Sequence, residues 1–244
     1  MTTLADLQVA RPHDPYVRWR VDPESATDLM VDSGHIAWIE PGLSGPQAWG
    51  TVMGEDPAIV LRLLRALDSR RRLDGVTVLA SMRPAVPDDM FSHDAGEWSL
   101  WTLGESGVLL EPGDAVSIEP GDPRIDEVLQ HSTSSYLGAT SPRVVMWSGV
   151  ERNERLIAVA GLTREASGAV QLVSVCAMPE ARGLGLAGRV CADLVIRAGN
   201  VPMVVLEMYT ANAAAASLYR RLGFSEAQRH VSGLIDSRRP PVAV

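Results

Sequence analysis

Apolar residues recur along this chain with two periods, about 2 and about 3.6, and the switches between them mark its elements. Residues 35–40 read as a strand. Asp56-Pro57 then reads as a helix N-cap followed by proline at the first helical position. Behind it Val60, Leu63, Leu64 and Leu67 share one helical face. The run Arg70-Arg71-Arg72 sits where the helix dipole favours cations, so it reads as a helix end rather than a basic binding patch. Residues 76–80 and 98–103 are further strand candidates.

The cluster Glu111-Pro112-Gly113-Asp114 is echoed by Glu119-Pro120-Gly121-Asp122-Pro123 on the far side of a short strand at 115–118. This punctuation places a domain border near residue 113. Beyond it come a helix at 124–130 and three successive strands at 144–150, 156–163 and 170–177. Ala187, Val190, Cys191, Leu194, Val195 and Ala198 then form one apolar stripe of a helix, stopped by Gly199-Asn200 and Pro202. A strand at 203–208 follows, then a helix with Ala215, Leu218, Tyr219 and Leu222 on one face, ended by Gly223. Residues 224–235 close as one or two strands. The pattern predicts an α/β (α+β) fold: an N-terminal α/β domain over 1–113, a second domain over 114–236, and a flexible tail at 237–244.

Composition narrows the picture. The 244 residues are 46% hydrophobic and 21% charged, with a formal net charge of −8. That acidic balance gives no field to attract nucleic acid or an anionic membrane. All 22 basic residues are arginine, which reads as a compositional bias. Two cysteines and no metal-ligand spacing predict neither a disulfide framework nor a zinc site. No leader-like segment is seen, nor an apolar run of about 18 residues, so a cytoplasmic location is expected. Five of the six tryptophans (Trp19, Trp38, Trp49, Trp98, Trp101) fall before the border, as core or as the lining of an acceptor pocket or subunit contact.

The most informative string is Glu180-Ala-Arg-Gly-Leu-Gly-Leu-Ala-Gly-Arg-Val190. Gly183, Gly185 and Gly188 have the G-x-G-x-x-G spacing of a dinucleotide-binding turn, and Glu207, 24 residues after Gly183, mimics its ribose-binding acid. That fold puts its first glycine at the strand end, whereas here residues 178–182 intervene. Only 56 residues follow Gly188, too few for a doubly wound sheet. The same residues also read as R-x-x-G-x-A from Arg182 to Ala187, where glycines at a helix mouth let backbone N–H groups approach a pyrophosphate. That chemistry suits coenzyme A equally.

The run P-E-A-R-G-L-G-L-A, with the strand before it, resembles the acyl-CoA signature of the GNAT superfamily of N-acetyltransferases. Downstream, L-E-M-Y-T-A-N-A-A-A-A-S-L-Y-R-R-L-G-F resembles that superfamily's closing motif, with Met208 where valine is usual and Ala187 where glycine often stands. The resemblance covers roughly residues 115–235. It implies a GNAT fold, a mixed sheet with two splayed strands, and acetyl-CoA as the cofactor. The N-terminal part would be a degenerate relative of the same fold or an appended α/β unit that helps shape the acceptor pocket.

Residue by residue, the resemblance implies that Val175, Cys176 and Ala177 present backbone groups to the pantetheine arm, the Ala177 N–H serving the thioester carbonyl. Arg182, Gly183, Leu184, Gly185, Leu186 and Ala187 would hold the pyrophosphate. Asn212 would bond the pantetheine or simply cap its helix. Tyr219 would protonate the departing thiolate, its alternative being a core aromatic on the apolar stripe. Glu207 would act as general base for the amine, or face solvent. Cys176 reads as a buried strand residue rather than a nucleophile, and His35, His93, His131 and His230 as structural. The segment 131–135 has the composition of an acceptor-side loop. The expected activity is direct transfer of acetyl from acetyl-CoA to a primary amine of a small molecule or a protein N-terminus. A longer acyl donor, as in glycine N-acyltransferase-like chains, and a non-catalytic acyl-CoA sensor are the alternatives; a homodimer is left open.

Overall fold

The structure is a computed structural model, and it describes residues 2–42, 47–91, 95–105, 107 and 111–235. The tail expected at 237–244 lies outside the described residues, as does His93. The chain forms two compact units. The first comprises Met1–Leu100, Tyr209–Ala211 and Ala227–Val244, the second Trp101–Met208 and Asn212–Glu226. The division thus falls between Leu100 and Trp101 rather than near residue 113. The reason is the fully buried Trp101, which belongs to the core of the second unit. The Pro/Gly cluster at 112–113 is a turn inside that unit, with Gly113 at φ +61°.

In the first unit, α1 (Leu4–Ala10) starts from a reciprocal capping box between Thr3 and Asp6, and α2 (Pro15–Trp19) starts from an Asp14 cap. Strands β1 (Thr27–Asp32), β2 (His35–Pro41) and β3 (Ala48–Met53) form an antiparallel meander. Helix α3 (Pro57–Arg70) then crosses over to β4 (Gly75–Leu79), which lies parallel to β3. Val60, Leu63, Leu64 and Leu67, the predicted face of α3, are buried against Ala37, Ile39, Val52, Val76 and Val78. Each such side chain contributes about 1.5–3 kcal/mol of burial. Strand β5 (Gly96–Leu103) contributes its first five residues to this unit.

The second unit repeats that order with longer strands. It contains β6 (Val116–Ile118), α4 (Pro123–Leu129), β7 (Val144–Arg152), β8 (Arg155–Arg164), β9 (Val170–Ala177), α5 (Leu186–Ala198), β10 (Val204–Tyr209), α6 (Ala213–Leu222) and the start of β11 (Phe224–Leu234). Neighbouring strands run β10-β9-β8-β7-β6. β6 to β9 are antiparallel, and β10 is parallel to β9 after the α5 crossover. Asn153 and Glu154, both at positive φ, make the two-residue turn between β7 and β8. One face of the sheet is covered by α5 and α6, and a second cluster lies under α4. Residues 224–234 form one strand, whose far portion pairs antiparallel with β4 in the first unit.

Candidate functional site

Strand β9 is irregular where it matters. Its register against β8 shifts between Val159/Gly161, so three steps of β9 (Val173 to Cys176) oppose two of β8. The extra residue is a bulge at Ser174, whose φ of +51° is left-handed. A bulge reverses the alternation of faces. Val170 and Leu172 face the α5 side; after the bulge it is Val175 and Ala177 that pack there, while Cys176 joins Val173 under α4. The Ser174 hydroxyl donates to the carbonyl of Leu137 at 2.8 Å.

The bulge also decides which backbone groups are open. Met178 N–H donates to Ile157 O at 2.9 Å, which makes the Ala158–Ala177 pair a non-hydrogen-bonded one. The N–H and C=O of Ala177 therefore face away from β8, and by alternation so do those of Val175. Those of Cys176 face β8, so its backbone is spent in the ladder rather than offered to a ligand. On the open side, β10 pairs with β9 only from Val204↔Val170 to Leu206↔Leu172. Beyond that point Val173–Ala177 and Glu207–Met208 do not pair with each other. The edge formed by Val175 and Ala177, with N–H groups turned from β8 and a neighbour that no longer pairs with it, has the geometry of a seat for an extended polar chain.

At the end of that strand a 3-10 turn, Pro179–Ala181, leads to Arg182 and into α5. Gly183 and Gly185 sit at φ +80° and +77°, a region that costs a side-chain-bearing residue roughly 1–2 kcal/mol. A Cβ built on either would meet nothing within 4 Å, so the space before the helix is open. Gly185 is the N-cap and offers no side-chain acceptor. The first capping bonds come from Gly188 and Arg189 N–H to Gly185 O, so the amides ahead of them, including Leu186 and Ala187, keep their N–H groups available. Leu184 is exposed and Leu186 buried. Arg182 sends Nη2 to His131 O at 3.1 Å and Nε toward Ala177 O at 3.4 Å, which places its guanidinium beside the open edge of β9.

Tyr219 is buried, 7% exposed, within the cluster of α5, α6 and β10, its ring edge-on to Phe224 at 6.0 Å. Burial drives its hydroxyl pKa far upward, with the Cys191 thiol a lesser cause, so it holds its proton. Glu207 stands one residue past the last β9–β10 pair and is half-buried. Its neighbours Leu206 and Met208 point into the α5/α6 cluster, so Glu207 points to the opposite face from Tyr219. Asn212 caps α6, its Oδ1 accepting from Ala215 N–H at 3.0 Å, which leaves its amide donors for other partners. The Cys176 thiol donates to Val128 O at 3.3 Å, and burial raises its pKa. His35 accepts the Asp56 N–H at Nε2, 2.9 Å, with Nδ1 3.1 Å from Ser33 O, and His230 stacks on Trp98 at 4.2 Å.

The first unit contains a comparable β3–α3–β4 crossover, and there the same positions are closed. β3 pairs with β4 from Trp49↔Gly75 to Val52↔Val78, with no register shift against β2. The α3 N-terminus is filled by its own Asp56 carboxylate, which accepts from Ala58 and Ile59 N–H at 2.8 and 3.2 Å. Pro57 has no N–H to give. The α3 mouth is thus filled by the chain's own carboxylate, whereas that of α5 has no side-chain cap.

Ser174 and Leu137 were not signalled by the sequence, because a bulge leaves no mark in an apolar run such as Val-Gln-Leu-Val-Ser-Val-Cys-Ala. Among the described residues no group of three metal-ligating side chains occurs, and no helix is long and apolar enough to cross a membrane.

The sequence profile of the acetyltransferase (GNAT) family matches residues 115–224. No curated protein sequence matches the chain. Among solved structures, a GCN5-related N-acetyltransferase from Kribbella flavida superposes with a TM-score of 0.58 at 15% identity, covering 97% of each chain. A GCN5-related N-acetyltransferase from Sphaerobacter thermophilus gives 0.56 at 16% identity, over 92% of this chain and 84% of that one. A GNAT-family acetyltransferase from Colwellia psychrerythraea gives 0.52 at 13%, over 97% and 98%. These likenesses share the fold over nearly the whole chain. Residues 115–224, where the profile, the interrupted strand pair and the open helix mouth coincide, match the acetyltransferase (GNAT) family.

Proposed function

We propose that the second unit is an N-acetyltransferase that takes acetyl-CoA as donor and a primary amine, of a small molecule or a protein N-terminus, as acceptor. One observation carries this reading: β9 and β10 stop pairing after Leu172 and Leu206, just where α5 opens on an uncapped glycine. The residues present fit such a donor. The amides of Gly183, Gly185, Leu186 and Ala187 suit a pyrophosphate at a helix N-terminus. The open edge at Val175 and Ala177 suits an amide-bearing arm, and Asn212 retains donors for its far side.

Bound acetyl-CoA supplies an acetyl group on a thioester, where the amine nitrogen–carbon bond forms as the carbon–sulfur bond breaks. The Ala177 N–H is aimed into the gap from a fixed strand, which is how preorganised donors stabilise a developing oxyanion. An acceptor amine with pKa about 10 costs about 4 kcal/mol to hold neutral at pH 7. Glu207, half-buried at the lip of the gap, takes that proton directly or through water. Tyr219 gives its hydroxyl proton to the leaving sulfur, and the second proton that the acylated nitrogen loses as the amide forms returns, through solvent, to the tyrosinate. Burial makes Tyr219 a weak acid on its own, and the same apolar cluster also raises the basicity of a thiolate brought beside it.

The test is thiol release from acetyl-CoA in the presence of a panel of amines, including a polyamine, an aminoglycoside and an alanine-terminated peptide, alongside calorimetric binding of acetyl-CoA. Release with at least one amine is the expected result. Binding without release from any amine would turn the reading into an acyl-CoA sensor, and faster release from a longer acyl-CoA would reassign the donor.

A further inference from the structure

We propose that Ser174 is a positioning residue of this site: one hydrogen bond from its hydroxyl holds both the β9 bulge and the segment that follows α4. This rests on the N-acetyltransferase reading above. Ser174 occupies a left-handed φ of +51° without being glycine, and its Oγ is anchored on Leu137 O at 2.8 Å. A serine keeps such a conformation only where its surroundings hold it. The bulge is what turns the Ala177 N–H and carbonyl away from β8 and into the gap. If β9 ran regularly, every residue after 174 would change face, and Ala177 would bond to β8 instead.

The other end of the bond carries the second half of the argument. Three side chains from residues 174–182 donate to backbone carbonyls of residues 128–137: Ser174 to Leu137, Cys176 to Val128 and Arg182 to His131. The end of α4 and the segment after it are thus tied to β9 and the turn that follows it by side chains. Of the three, only Ser174 sits at the bulge itself, so it alone couples the direction of the Ala177 N–H to the position of residues 131–138.

Three variants separate the contributions. Ser174→Ala removes the donor and leaves the unfavourable φ. Ser174→Gly removes the donor and relieves the φ. Ser174→Asn accepts positive φ readily and brings an N–H that reaches for Leu137 O. Two readouts avoid turnover. Without ligand, amide hydrogen exchange at 131–138 is expected to speed up about tenfold or more in Ser174→Ala and Ser174→Gly and to stay near wild type in Ser174→Asn. With carbonyl-labelled [1-13C]acetyl-CoA, the thioester carbonyl band of the wild-type complex is expected to shift to lower frequency. Ser174→Ala and Ser174→Gly lose most of that shift at nearly unchanged affinity, because the phosphate end is held elsewhere, and Ser174→Asn restores it. A carbonyl band indifferent to Ser174→Ala or Ser174→Gly overturns this inference alone, as does an Asn variant that folds and binds but restores nothing. Wild-type protein that binds no acetyl-CoA overturns the N-acetyltransferase reading itself.

Discussion

At Tyr219 two demands meet in one side chain, since its ring fills the α5/α6 core while its hydroxyl is the acid assigned to the leaving sulfur. The two separate experimentally. Tyr219→Phe keeps the ring and its edge-on contact with Phe224, so folding and acetyl-CoA affinity should stay close to wild type. Turnover should fall by about 10²–10⁴, the usual worth of a positioned general acid. Steady-state kinetics beside calorimetry would check this, and an unchanged rate would take Tyr219 out of the mechanism. The stripe of Ala215, Leu218, Tyr219 and Leu222 was readable because a helix fixes which residues share a face. The face taken by Glu207 was not: along a strand it depends on register, and only the structure shows it opposite Tyr219. Asn212 was readable as a cap because that interaction is local, and its Oδ1 does accept from Ala215 N–H.

Among the elements, α3 and α5 begin in opposite ways, and their N-termini should respond oppositely to mutation. Gly185→Val forces a β-branched residue to φ +77°, a cost of at least about 1–2 kcal/mol, and puts a side chain in the space before the helix. Calorimetry should show acetyl-CoA binding abolished, and normal affinity would contradict the assignment of that helix mouth. Asp56→Ala removes the α3 cap and should lower stability by about 1 kcal/mol in urea unfolding while leaving coenzyme affinity alone. The loop before β6 is fastened to α5 and β7 through Asp114, which pairs with Arg152 and, at 2.8 Å, with Arg189. Arg152 first, then Arg189, holds the Asp114 carboxyl at about 2, below its ordinary 3.8. A lowered folded-state pKa means the contribution is complete above about 3.8 and disappears as pH falls through about 2. Because Asp114 is exposed, the effect is small and salt-sensitive. The stability difference between wild type and Asp114→Asn should therefore shrink from pH 5 towards pH 2 and shrink also in high salt.

At the scale of the whole molecule, both units contain a crossover between adjacent parallel strands, and among the described residues the one in the second unit combines a bulged strand, an interrupted pairing and an open helix mouth. One acetyl-CoA per chain is the expected calorimetric stoichiometry; two would mean that Asp56 yields to an anion. The sequence by itself determined the helices with strong stripes, the strands from β7 to β10 and the glycine-led start of α5, because these rest on short-range periodicity, backbone permissiveness and local caps; its two motifs also carried the GNAT resemblance of the second unit. It missed α1, α2, β1 and β3, which are short or too evenly buried to show a period. Tertiary structure alone decided the chain's change of unit inside β5, the bulge at Ser174, the face of Glu207 and the direction of the Ala177 N–H. Each of those depends on which strand lies alongside and in what register, and pairing between segments distant in sequence is set by packing that no local pattern encodes.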